Sequence, residues 1–347
     1  MSDAKPASTP ADPSVRLCRE GTRDNPQSEK VTAPYREIMG SLNYAMIGTR
    51  PDIAFAVGLL SRFNQDPRMP HYAAAKRILS YLKGTADVGL LLGKSQTDRG
   101  NRLTCYVDSS YADDFDTRRS TSGFLIMYND APVIWKSRLQ SMVTHSTTEA
   151  EFIAASYACK EVQWLRQLLH ELNQDEALAT PVHIDNQGAL KLIANRQVHA
   201  RTKHLDIRYM SIRELEENGV IETKYIGTEK QLADLLTKAL YRDRFSILRE
   251  AIKCTSVNMM RQENDILCAS NVKLSTACSR PYINRDTVDR MQQECKNDLR
   301  ESCSATGRKA RELVLPDQEN VRDLGNTPNP CFTKLRDIPQ RICVVRV

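Results

Sequence analysis

A chain of 347 residues with 49 Lys and Arg against 43 Asp and Glu, a net charge of +6, is long enough for two compact domains and too weakly basic for charge alone to name a polyanionic partner. Its first residues, MSDAKPASTPADPS, lack the apolar stretch of a secretory signal, and the longest apolar run, Ile53 to Leu60, is far too short to cross a bilayer, so no membrane partner and a place in the cytoplasm or nucleus are expected. Three cysteines precede residue 253 and seven follow it, with no CxxC pair and no histidine among those seven, which gives a zinc knuckle little support.

Residues 1–33 are rich in Pro, Ser, Asp and Lys without sustained periodicity and read as a flexible, disordered arm. From Tyr35 the spacing turns helical. Ile38, Leu42 and Met46 step by four; after Pro51-Asp52, Ile53, Ala56, Val57, Leu60 and Phe63 share a face; Ala75, Ile78, Leu79 and Leu82 form a third stripe that Gly84 ends. Residues 34–86 are thus expected to be a small helical unit.

The period then changes. Val88 to Leu92, Leu103 to Asp108, Gly123 to Tyr128 and Val133 to Lys136 are short and rich in β-branched and aromatic residues, with polar turns such as Asn129-Asp130 between them, as consecutive antiparallel strands require. A long helix is expected from Thr147 to about Leu172, then a strand from Val182 to Asp185 and helices over 187–194 and 206–217. A strand from Glu222 to Ile226 and a helix from Lys230 complete the pattern. Strands followed by strands alternating with helices predict an α/β fold, a mixed sheet covered by helices, over residues 87–252. Residues 253–347 carry scattered Asn, Arg, Cys and Pro and read as a poorly ordered tail.

Four acids stand where such a fold would gather them. Asp108 ends the apolar strand LTCYV and Asp185 ends VHI just before a helix, so both would project from one sheet edge if those strands are neighbours. Glu151 lies early in the long helix, and Asp234 lies in the first turns of QLADLLTK. Converging carboxylates supply the hard oxygen ligands that a pair of divalent ions needs for phosphodiester hydrolysis. Within STTEAEF, Ser146 and Glu149 have capping-box spacing, which gives Glu149 a structural role and leaves Glu151 for metal. Asp113, Asp114 and Asp116 read as a solvated acidic loop, His145 and His183 as core or sheet-edge residues, Cys105 and Cys159 as packing residues, and Trp135 as a core aromatic.

The strings YVDSSYADD, RRSTSGF, STTEAEF, HIDNQGAL, RTKHLDIRY and QLADLLTK, in this order, closely resemble the ribonuclease H domain of copia-type LTR retrotransposon polyproteins. Upstream, TPADPSVRL, PYREIMGSLNYAMIGTRPDIAFAVGLLSRF and AAAKRILSYLKGT resemble the last part of the same family's reverse transcriptase, its thumb and connection. The resemblance covers roughly residues 9–252. It implies a ribonuclease H-like sheet of five strands, the first three antiparallel, flanked by helices. It also implies an endonuclease that cuts the RNA strand of RNA/DNA hybrids with two Mg2+ ions, or Mn2+ in their place, by in-line attack of water, leaving a 3′-hydroxyl and a 5′-phosphate. In that reading Asp108 bridges both ions, Glu151 is the helix carboxylate, Asp185 the second bridging-side ligand and Asp234 a fourth, more mobile one. Gln187 falls where the family touches the hybrid's minor groove, Asn186 is expected to bind nucleic acid beside it, and Arg118, Arg119, Lys203 and His204 are expected phosphate contacts. Other products of the same polyprotein are expected partners.

Two departures stand out. The string Tyr111-Ala112-Asp113-Asp114 belongs to the ribonuclease-like motif YVDSSYADD and is not preceded by the hairpin pattern of a polymerase motif, so DNA synthesis is not expected, and the loop GTEKQLAD lacks the histidine that many ribonucleases H carry before the fourth acid. A catalytically silent nucleic-acid-binding relic is the alternative reading. An integrase or transposase of the same superfold is disfavoured, because the order Glu151 then Asp185 disagrees with their final glutamate.

Overall fold

The computed structural model describes residues 4–22, 28–92, 103–194 and 206–256. Strands β1 (Leu17–Cys18) and β2 (Gly21–Thr22) make a small hairpin, followed by helices α1 (Tyr35–Gly48), α2 (Ala54–Ser61) and α3 (Met69–Gly84) and strand β3 (Val88–Leu90). Next come β4 (Leu103–Ser110), β5 (Thr121–Tyr128), β6 (Ala131–Leu139), helix α4 (Thr147–Glu171) and β7 (Thr180–Ile184). Helices α5 (Gln187–Ala194) and α6 (Asp206–Glu217), strand β8 (Ile221–Tyr225), helix α7 (Arg242–Ala251) and β9 (Cys254–Ser256) complete the order.

The central sheet has five strands in the order β6-β5-β4-β7-β8. β4, β5 and β6 pair antiparallel, while β7 runs parallel to β4 and β8 parallel to β7, which is the mixed sheet that the resemblance implies. Asn129 and Asp130 both take positive φ, 51° and 63°, the conformation that a tight β5–β6 hairpin demands and that these two residue types tolerate.

Both faces of the sheet are covered, and the period of two divides its side chains between them. Cys105, Val107, Phe124 and Ile126 meet Phe152, Ala155 and Val162 of α4 on one face. Leu125 and Met127 point the other way, into a core shared with Tyr35, Met39, Ile53, Val57, Ile78 and Tyr81 of the helical unit. Its residues are therefore part of the sheet's packing. Trp135 donates its indole N–H to Met46 O at 3.0 Å, adding a polar tie between β6 and α1. A buried network joins the same unit to α7: Arg50 makes two bonds to Asp52 at 2.9 and 2.8 Å, Tyr81 donates to Asp52 at 2.6 Å, and Arg249 reaches the Tyr81 hydroxyl.

Three expectations are corrected. Residues 4–22, read as part of a flexible arm, lie along α3. The amide of Ala7 donates to Ser80 O at 3.3 Å, Arg77 donates to Thr9 O at 3.2 Å and pairs with Asp12 at 3.2 Å, and His71 bonds Cys18 O at 2.8 Å. Backbone groups satisfied one by one from a neighbouring helix leave no periodic signal in the sequence. Second, Val88–Leu90 stays out of the central sheet and pairs antiparallel with Cys254–Ser256, so ordered structure continues past Ile252. Third, no α-helix starts at Lys230. Short 3-10 turns span Thr228–Lys230 and Leu232–Leu236, because the second turn is seated directly against Gly123 of β5, where a Cβ would come within 2.6 Å of Thr237. Lys203, His204 and residues 257–347 lie outside the described residues.

Candidate metal centre

The register of the sheet places the first two acids. Val107 of β4 pairs with Ile184 of β7, so Asp108, still paired with Gly123 of β5, and Asp185, the first residue beyond β7, stand at neighbouring register positions. Glu151 comes from the start of α4. Ser146 caps that helix by accepting from the Glu149 amide at 3.1 Å, and the Glu149 carboxylate accepts from the backbone amide of His145 at 2.7 Å. The capping box thus closes on His145, and Glu151, two residues on, faces the sheet edge. Asp108, Glu151 and Asp185 each offer an oxygen within 4.8 Å of the others, the only such group of potential metal ligands among the described residues.

Each carboxylate of the trio is held in place. Glu151 Oε1 accepts from both the amide and the hydroxyl of Ser109, each at 3.0 Å, while its Oε2 is buried without a hydrogen-bond partner. Asp108 Oδ2 accepts from the Thr237 hydroxyl and lies 3.6 Å from Lys238 Nζ. Asp185 Oδ2 accepts from the Thr228 hydroxyl at 3.0 Å. Burial pushes Asp108 up to about 6, with Asp234 and Asp185 adding to the rise and Lys238 and Thr237 opposing it. Burial, then Asp108 and Asp185, push Glu151 well above the ordinary range, and burial raises Asp185. Crowded, desolvated carboxylates with one bare buried oxygen form a site that a hard divalent cation would relieve, so the donor set fits Mg2+ or Mn2+.

Asp234 stands beside the trio and not in it. Its Oδ1 pairs with Lys238 at 2.8 Å and its Oδ2 with Arg244 at 3.4 Å. Gln231, fully buried, anchors the turn that carries Asp234: its amide donates to Val107 O at 2.8 Å and its carbonyl caps Ala233. Sequence reasoning missed Ser109, Gln231, Thr237, Lys238 and Arg244. Only Lys238, four residues after Asp234, carries a local signal for its partner.

The expected nucleic-acid contacts are dispersed. Asn186 caps α5, its side-chain carbonyl accepting from the Ala189 amide at 2.9 Å, and Gln187 is exposed at the first turn of that helix, next to Asp185. Arg118 is exposed on a positive-φ turn and Arg119 is half-buried. The acidic loop is less solvated than expected: Asp114 is buried and paired with Arg62 at 3.0 Å, Asp113 accepts from the Thr121 hydroxyl at 2.9 Å, and only Asp116 is exposed, accepting from the Arg19 amide. His145 is exposed rather than packed, whereas Cys105 and Cys159 are buried in the core under α4.

No family model matches the chain. Among curated proteins it is 40% identical over 256 residues to the retrovirus-related Pol polyprotein from transposon TNT 1-94 of Nicotiana tabacum, covering 73% of this chain and 19% of that protein. It is 39% identical over 258 residues to the retrovirus-related Pol polyprotein from transposon RE1 of Arabidopsis thaliana, covering 74% of this chain and 17% of that protein. The chain therefore spans less than a fifth of either polyprotein. A solved structure, LC11-RNase H1 in complex with RNA/DNA hybrid, is 15% identical with a TM-score of 0.30 over 39% of this chain and 93% of its own. No helix among the described residues is long and apolar enough to cross a membrane.

Proposed function

This chain belongs to the family of copia-type retrotransposon Pol polyproteins, and from that premise we propose that its ribonuclease H-like part is a divalent-metal-dependent endonuclease that hydrolyses the RNA strand of RNA/DNA hybrids. The observation that carries the reading is the convergence of Asp108, Glu151 and Asp185, with Glu151 Oε2 buried and unpartnered. Mg2+, or Mn2+ in its place, would be held by these three carboxylates, with Asp234 at the position of a second ion. Such ions supply charge at the attacking and leaving oxygens of an in-line displacement.

The chain's own residues do the positioning. Ser109 fixes the rotamer of Glu151, Thr237 that of Asp108 and Thr228 that of Asp185, so that little rearrangement remains when the phosphodiester arrives. Gln187, exposed beside Asp185, is proposed to read the minor groove of the hybrid, where 2′-hydroxyls mark the RNA strand. Arg118, Arg119, Lys203 and His204 are proposed to contact phosphates without regard to sequence.

Incubation of the purified chain with end-labelled RNA/DNA hybrid, duplex RNA and duplex DNA, with Mg2+ or with EDTA, tests the reading. Cleavage confined to the RNA of the hybrid, dependent on Mg2+ and absent in Asp185→Asn, is expected. A folded protein that binds hybrid yet cuts nothing would establish the silent relic instead, and cleavage of duplex DNA would point to an integrase-like enzyme.

A further inference from the structure

The fourth acid differs from the other three in one respect: both of its oxygens are already occupied by cations. Lys238 Nζ sits 2.8 Å from Asp234 Oδ1, and Arg244 takes Asp234 Oδ2 at 3.4 Å. Arg244 is itself locked, donating to Glu229 O and, at 2.8 Å, to Thr228 O. The Lys238 ammonium also lies 3.6 Å from Asp108 Oδ2, so it stands between the two acids that would share a second ion. Its side chain is 39% exposed, whereas that of Asp108 is 3% exposed, so the ammonium can leave the pair and the carboxylate cannot. Glu151, by contrast, has a buried oxygen with no hydrogen-bond partner.

We propose that Lys238 is a positioning residue that holds the place of the second divalent ion, so that the hybrid-free protein takes one ion on Asp108, Glu151 and Asp185 and admits a second only when a substrate phosphate offers the ammonium another anion. This rests on the metal-dependent reading above. A fixed positive charge within contact distance opposes a divalent cation at the same carboxylates, and the opposition ends when the charge moves or is removed. Arg244, tied to two backbone carbonyls, stays and keeps Asp234 oriented.

Mn2+ titration of the folded, hybrid-free protein, with free Mn2+ followed by its paramagnetic resonance signal, counts the ions directly. Wild type is expected to bind one. Lys238→Gln is expected to bind a second with affinity raised on the order of tenfold or more, and Lys238→Arg, which keeps the charge, to bind one. Two ions of similar affinity in wild type would overturn the role of Lys238 while leaving the metal-dependent reading intact; so would a Lys238→Gln protein that gains none. A folded wild type that binds no Mn2+ would remove both. The wild-type count decides by itself if the glutamine variant does not fold.

Discussion

Ser109 gives two hydrogen bonds to a single oxygen of Glu151: its amide and its hydroxyl both reach Oε1 at 3.0 Å. The glutamate is thereby held by one oxygen, leaving Oε2 buried and without a hydrogen-bond partner, in a side chain that comes within 4.8 Å of Asp108 and Asp185. Ser109→Ala keeps the amide bond and loses the hydroxyl. It should weaken Mg2+ binding by roughly the worth of one hydrogen bond, about 1 kcal/mol or several-fold in Kd, measured by calorimetric titration; an unchanged Kd would show that the hydroxyl does not set the rotamer.

The acidity of Asp108 links metal binding to stability. Its folded pKa, pushed up to about 6, lies above the ordinary 3.8, so the metal-free fold is favoured while the group is protonated. That contribution is full below about pH 4 and is lost as pH rises through about 6. That contribution is about 3 kcal/mol at most. In EDTA, Tm should fall as pH rises from 4 to 7. Asp108→Asn should reduce that slope, raise Tm at neutral pH and abolish the stabilisation that Mg2+ gives wild type. A variant less stable than wild type in EDTA at neutral pH would contradict this account.

Gly123 is required by the close seating of the turn that bears Asp234. A Cβ there would meet Thr237 Cγ2 at 2.6 Å, Leu236 Cβ at 2.9 Å and the Leu236 carbonyl carbon at 3.2 Å. Gly123→Ala should therefore cost about 1–3 kcal/mol by overpacking and lower Mg2+ affinity, since Thr237 holds Asp108. Gly40→Ala in α1, where nothing lies within 4 Å of the added carbon, should instead stabilise by about 0.5–1 kcal/mol. Chemical denaturation of the two variants provides the comparison.

Strand β9 fixes how short the chain can be made. Cys254 is fully buried and pairs with Leu90. Ending the chain after Ile252 should lower Tm and reduce the soluble yield, whereas ending it after Ser256 should leave hybrid cleavage within a few fold. Equal melting of the two truncations would show that the β3–β9 pair contributes nothing.

The parts of the fold and site legible in the sequence are those set by local chemistry. Strand alternation marked β4, β5 and β7, the Ser146–Glu149 spacing marked the start of α4, and Asp108 and Asp185 stood out because each follows an apolar strand. What was not legible depends on partners distant along the chain. Arg62 neutralises Asp114 from 52 residues away, and Ser256 bonds Asp87 across 169. The N-terminal segment is held by Arg77, 68 residues from Thr9. The ion pairs of Asp234 fall between these cases: Lys238 is an i,i+4 neighbour, but Arg244 is brought in by the break between the 3-10 turn and α7.

The rate of hybrid cleavage as a function of Mg2+, for wild type and for Glu151→Gln, decides whether Asp108, Glu151 and Asp185 hold the metal. Glu151 belongs to the trio and keeps one buried oxygen without a hydrogen-bond partner, and the glutamine keeps its shape while removing its charge. Wild type should show a saturable dependence on Mg2+, and Glu151→Gln, folded and still able to bind hybrid, should lose on the order of a thousandfold in rate. A variant that cuts at the wild-type rate at every Mg2+ concentration would contradict the assignment of this cluster as the metal centre.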